Sequence, residues 1–130
     1  MTLLNLYDIA ASNGFEVYYY PLRHMKSIST PEAIGIDVDM LSSTQEEKEC
    51  LAHELGHCMT GSFYRVDTLE SRGRMEERAN RWAYKVALPL SELSEALENG
   101  ITEPWELAEY FDLPQKFIEK ALCYYNLQSA

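Results

Sequence analysis

No apolar run in this chain approaches the roughly 20 residues that a bilayer-crossing helix needs, so no membrane span is expected. The first residues, Met1 to Asp8, show no basic segment followed by a long apolar one. That leaves no signal peptide to expect and makes the cytoplasm the expected location. Basic side chains are scarce: 11 Lys and Arg stand against 21 Asp and Glu, a net charge of −10. Affinity for nucleic acid comes largely from neutralising phosphates, so direct DNA or RNA binding is disfavoured and a protein partner is the simpler expectation. Cysteine is sparse and odd in number, with Cys50, Cys58 and Cys123 scattered along the chain. This excludes a disulfide framework and points to reduced thiols. Repeats, low-complexity tracts and linkers are absent too.

What is present suits one ordinary globular domain, residues 1–130, with 46% apolar and 25% charged residues. Leu3, Leu4, Leu6, Tyr7, Ile9 and Ala10 recur at helical spacing before Asn13-Gly14, predicting a helix over residues 2–13. Phe15 to Tyr20 reads as a strand ended by Pro21, its three tyrosines half-buried. Ile28 can begin a second strand, and Ala33 to Val38 reads as another. The expected class is therefore α+β, with a small sheet of two or three strands packed on helices.

Ser43 and Thr44, followed three residues later by Glu46 and Glu47, can each open a helix with a capping box, and Gly61 suits its C-terminal stop. Residues 62–73 read as a polar connection. Met75, Ala79, Trp82, Ala83, Val86 and Ala87 then mark a helix from Arg74 to Leu88, stopped by Pro89. Its stripe of Arg74, Arg78, Arg81 and Lys85 reads as a solvated face. The C-terminal part, about residues 91–130, is helical throughout: a short helix over 91–99, one capped by Thr102 with Pro104 in its first turn, and one carrying Phe117, Ile118, Ala121, Leu122 and Tyr125. The last two look like a helix-turn-helix. Residues 102–125 carry five acidic and two basic side chains, a net −3 that phosphate repels, so the pair is expected to pack on the core or meet a protein.

The helix from Ser43 to about Met59 carries His53-Glu54-Leu55-Gly56-His57. Histidines at i and i+4 share one helix face, where both imidazoles can reach a single metal ion. Glu54 lies at a neighbouring angle, placed to take a proton from water activated by that metal rather than to ligate it. Two histidines on an amphipathic helix can also be ordinary hydrogen-bonded residues. Against this, two of the chain's three histidines fall in the motif, and Gly56 leaves room for a close approach at a helix-propensity cost of roughly 1 kcal/mol. Cys50, three residues before His53, is a further ligand candidate, although free cysteine is most often a small buried hydrophobe.

A catalytic zinc takes three protein ligands and leaves a fourth position for water. Eighteen residues separate His57 from Glu76, enough for an antiparallel return to one ion. Glu76 shares a face with Asn80, and an Asn there can orient a ligand histidine through a hydrogen bond. Glu77 points a quarter-turn away, four residues before Arg81, as for a surface ion pair. Glu76 is therefore the favoured third ligand, with Glu77 the runner-up.

His-Glu-Leu-Gly-His, followed by Glu-x-x-Ala-Asn-x-aromatic-Ala running into an apolar stretch that ends at Pro89, resembles the ImmA/IrrE family of zinc metallopeptidases. The C-terminal helices resemble those of short phage and mobile-element members. The resemblance implies a zincin-like fold, one Zn2+ held by His53, His57 and Glu76, and Glu54 as general base. It also implies cleavage of a repressor-type regulator. Glu77-Arg78 stands where many members carry a second acidic residue before Ala-Asn, and Trp82 where Phe is commoner. Tyr64 and His24 are the candidates for steadying an oxyanion, and an extended peptide could lie along the edge of the Ala33 to Val38 strand. The alternative function is a non-catalytic protein-binding module with a structural or vestigial metal site. Against that, a purely structural zinc needs no base beside it.

Overall fold

The computed structural model describes residues 1–63 and 71–126. The chain runs α1 (Leu3–Ser12), β1 (Glu16–Tyr19), β2 (Ser27–Ser29), β3 (Ala33–Ile36), a turn of 3₁₀ helix (Val38–Met40), α2 (Thr44–Thr60), α3 (Arg72–Ala87), α4 (Leu90–Glu98), α5 (Pro104–Phe111) and α6 (Gln115–Tyr125). It is an α+β fold with a helical C-terminal part.

The sheet is mixed, with strand order β1-β3-β2. β1 runs parallel to β3, and β2 antiparallel to it, with Ser27 opposite Ile36 and Ser29 opposite Ile34. The central strand is thus Ala33–Ile36, which corrects the expectation of an open edge there: both its sides are hydrogen-bonded, and Val38 already belongs to the helical turn. Ile34 and Ile36 share one face by the two-residue period of a strand and are fully buried. On the outer strand β1, Tyr18 and Tyr19 are about half exposed, and Tyr7 links Tyr19 to Glu47 through hydroxyl contacts of 2.6 and 2.5 Å.

Local chemistry sets the helix ends. Ser43 caps α2 by accepting from the Glu46 N–H, and Glu46 returns not to Ser43 but to the backbone N–H of Ser42, 3.2 Å away, and to Lys26. Gly61 closes the helix in the left-handed region at φ 67°, where a side chain is strained. α3 starts two residues earlier than expected because Ser71 caps it through the Arg74 N–H, and the stripe of Arg74, Arg78, Arg81 and Lys85 lies exposed. α5 is capped at Glu103 rather than Thr102: proline favours the first helical position, which puts the cap one residue before Pro104.

One core joins all of this. Leu6, Ile34, Ile36, Leu51 and Leu55 belong to the same buried cluster as Leu93, Leu107, Leu113 and Ile118. Lys48 is buried and donates from Nζ to the Phe111 carbonyl at 2.5 Å, capping the end of α5, while the Tyr125 hydroxyl donates to the Leu88 carbonyl at 3.0 Å. Burial pushes the Lys48 ammonium below its usual pKa, and the nearby Asp112 and Glu92 oppose that shift. The α5–α6 pair is thereby packed on the core. Among the described residues no helix is long and apolar enough to cross a membrane.

Candidate metal centre

The site grows from the place where α2 and α3 nearly touch. A Cβ on Gly56 would stand 2.3 Å from the carbonyl oxygen of Ala79, so only glycine lets the two backbones approach this closely. The approach carries Glu76, one turn before Ala79, and Asn80, next to it, to the face of α2 that bears His53 and His57.

There the three side chains meet. His53 Nε2 lies 3.2 Å from His57 Nε2 and 2.9 Å from a Glu76 carboxylate oxygen, and His57 Nε2 lies 3.4 Å from the other. The imidazole planes are nearly perpendicular, at 87°. The opposite ring nitrogens are engaged elsewhere. His53 Nδ1 faces Asn80 Oδ1 at 2.8 Å, and His57 Nδ1 faces the Ser62 carbonyl at 2.5 Å. Both partners are oxygens that only accept, so each Nδ1 carries the proton and each Nε2 presents its lone pair to the shared point.

Ser62 reaches His57 because Gly61 folds the chain back. Fully buried, Ser62 also offers its hydroxyl to Thr60 Oγ1 at 2.6 Å and receives Arg78 Nη1 at 3.2 Å. Glu77 pairs with Arg81 at 2.6 Å on the exposed side of α3, away from the histidines. Cys50 is buried outside the three-residue group, with burial raising its thiol pKa.

The donor set suits a divalent cation. Donors placed tetrahedrally at 2.0–2.1 Å from a zinc ion stand about 3.3 Å from one another, close to the 3.2, 2.9 and 3.4 Å that separate these three. Two neutral imidazole lone pairs and a carboxylate directed at one point repel each other unless a positive charge joins them. One ligand atom from each of His53, His57 and Glu76 lies within 4.8 Å of the other two.

They open onto a cavity of about 400 Å³ whose wall includes Met25, Ser27, Ser29, Glu54, Phe63 and Arg72. Glu54 is only 6% exposed, and its carboxylate accepts two hydroxyls, from Ser27 and Ser29, each at 2.7 Å. These serines escaped the sequence reading, as did Ser62 and Arg72. The visible signal was the alternation Ser-Ile-Ser, which puts both hydroxyls on one side of a strand. His24 is exposed and does not line the cavity, although its neighbour Met25 does. Tyr64 lies outside the described residues.

Two histidines of one helix, a glutamate of the next and a buried carboxylate at their side, set in an α+β scaffold, define the class of site found in metal-dependent hydrolases. The family model Peptidase_M78, described as the IrrE N-terminal-like domain, matches residues 15–122, and the chain belongs to that peptidase family. No curated protein and no solved structure matches it. The matched span takes in the sheet, both helices of the site and most of the C-terminal pair.

Proposed function

We propose that this protein is a zinc-dependent endopeptidase that hydrolyses a peptide bond in a regulatory protein, a repressor of a phage or mobile element. The observation that carries the reading is the convergence of two Nε2 lone pairs and one carboxylate within 3.4 Å, with both Nδ1 protons turned away. His53, His57 and Glu76 would hold one ion. Zinc there supplies Lewis acidity, making water a better nucleophile near neutral pH and polarising a carbonyl.

The chain's own groups do the rest. Glu54 accepts the proton that water gives up on attacking the scissile carbonyl carbon and delivers it to the departing amide nitrogen, ending as it began. Asn80 and the Ser62 carbonyl hold the imidazoles at their working angle. β2 borders the cavity and, among the described residues, has one side unpaired in the sheet, so an extended peptide would lie along Ser27–Ser29 rather than along β3. The family supports a protein substrate. The repressor substrate rests on resemblance to the phage type.

Purified protein should contain one zinc per chain and shorten the repressor encoded beside its gene, with chelator abolishing the cut. Glu54→Gln should retain the zinc and lose about 10³-fold in rate. Cleavage at the full rate by that variant removes Glu54 as the base. Stable capture of a repressor that is never shortened, with zinc present, favours a binding module instead.

A further inference from the structure

We infer that Ser27 and Ser29 are positioning residues that aim the Glu54 carboxylate, an inference that rests on the peptidase reading above. β2 places the two serines on the same side by its two-residue period, while Ile28 between them lies over Gly35 and is 39% exposed. Ser27 Oγ reaches one carboxylate oxygen at 2.7 Å and Ser29 Oγ the other, also at 2.7 Å. An ionised carboxylate only accepts, so both hydroxyl protons point at Glu54. The strand is itself held residue for residue against β3, with Ser27 opposite Ile36 and Ser29 opposite Ile34.

A glutamate has three side-chain torsions, and rotation about the last would swing its oxygens off the line between water and the amide nitrogen. Two donors in fixed register, one on each oxygen, remove that freedom. Each oxygen has about two lone-pair positions and spends one on a serine, which leaves one per oxygen for the transferred proton. The serines keep their own protons throughout, so the balance of the reaction is unchanged.

A hydroxyl pair that merely satisfied a buried carboxylate would affect stability alone; an aiming role must also appear in turnover. The test uses zinc-loaded full chain and a quenched-fluorescence peptide drawn from a random library. The Ser27→Ala, Ser29→Ala double variant should lose about 10²-fold in kcat, as expected for a reacting group misplaced by about 1 Å, with KM within twofold and zinc content unchanged. Ser27→Thr and Ser29→Thr keep the hydroxyl and should each stay within about threefold of the parent.

In metal-free protein the double alanine variant should lower Tm by about 5 °C, and by less than half as much in a Glu54→Ala background, where the hydroxyls no longer meet a carboxylate. Full kcat in the double variant, a loss that threonine does not rescue, or equal Tm losses in both backgrounds overturns the inference while leaving the peptidase reading intact. A parent protein that binds zinc but hydrolyses neither the peptides nor the neighbouring repressor overturns the reading itself and the inference with it.

Discussion

Around His53 and His57, α2 buries polar atoms and provides each with a particular partner: Asn80, the Ser62 carbonyl, Ser27 and Ser29. At the C-terminal pair, burial is almost wholly aliphatic and aromatic, through Leu107, Leu113, Phe117 and Ile118, with Lys48 the charged exception. The two regions share one core yet depend on different physics. Apolar burial is non-directional and scales with area, whereas the partners of a buried polar atom must stand within tenths of an ångström of their places. Substitutions in the helical pair should therefore cost stability, and those around the cavity should cost function.

The largest effect is expected on the apolar side. Leu107→Ala removes a fully buried side chain and should destabilise the fold by about 3 kcal/mol in denaturant titration, with zinc stoichiometry unaltered in the molecules that remain folded. Loss of zinc without loss of stability would break the division between the regions.

Gly56→Ala tests the point where packing and site coincide. In a free helix the change gains roughly 1 kcal/mol, but here the new Cβ meets Ala79 O at 2.3 Å and should instead cost about 2 kcal/mol. By forcing α3 outward it should also withdraw Glu76 and weaken zinc binding. A stabilised variant with unchanged affinity would show that the close approach is dispensable.

Asn80→Ala should leave the unfolding midpoint of the metal-free protein nearly unchanged and weaken zinc binding by about 10- to 100-fold in chelator competition, because the His53 ring loses the acceptor that orients it. An unchanged affinity would reduce Asn80 to a surface residue.

The smallest effect concerns the ion pair between Lys26, just before β2, and Glu46 in the first turn of α2. Hydrogen bonds from Lys26 first and Ser42 second hold the Glu46 carboxyl down to about 2 from 4.5. A folded-state pKa below the unfolded one contributes stability above pH 4.5 that fades as pH falls toward 2. Lys26→Met should flatten the acid limb of the stability curve in that window, and an unchanged limb would leave the pair without thermodynamic weight.

Much of this molecule could be read along the chain. The i, i+4 histidines, the Glu76–Asn80 face, the Glu77–Arg81 pair and the Gly61 stop are features of single helices, where 3.6-residue geometry links spacing to direction. The order of strands was not readable, because β1, β2 and β3 are too short for residue pattern alone to say which is central. Nor was the cap of α5, where Pro104 shifted the start by one residue.

Sequence by itself determined a small α+β protein of acidic surface with two histidines on one helical face and a carboxylate between them. It did so because charge, apolar periodicity and i, i+4 geometry are local properties. Tertiary structure alone decided that Ala79 would press on Gly56, that the Ser62 carbonyl would turn back to His57, and that an edge strand would bring two hydroxyls to Glu54. Those contacts join residues on different elements or across a turn, and their distances depend on how closely helices and sheet pack.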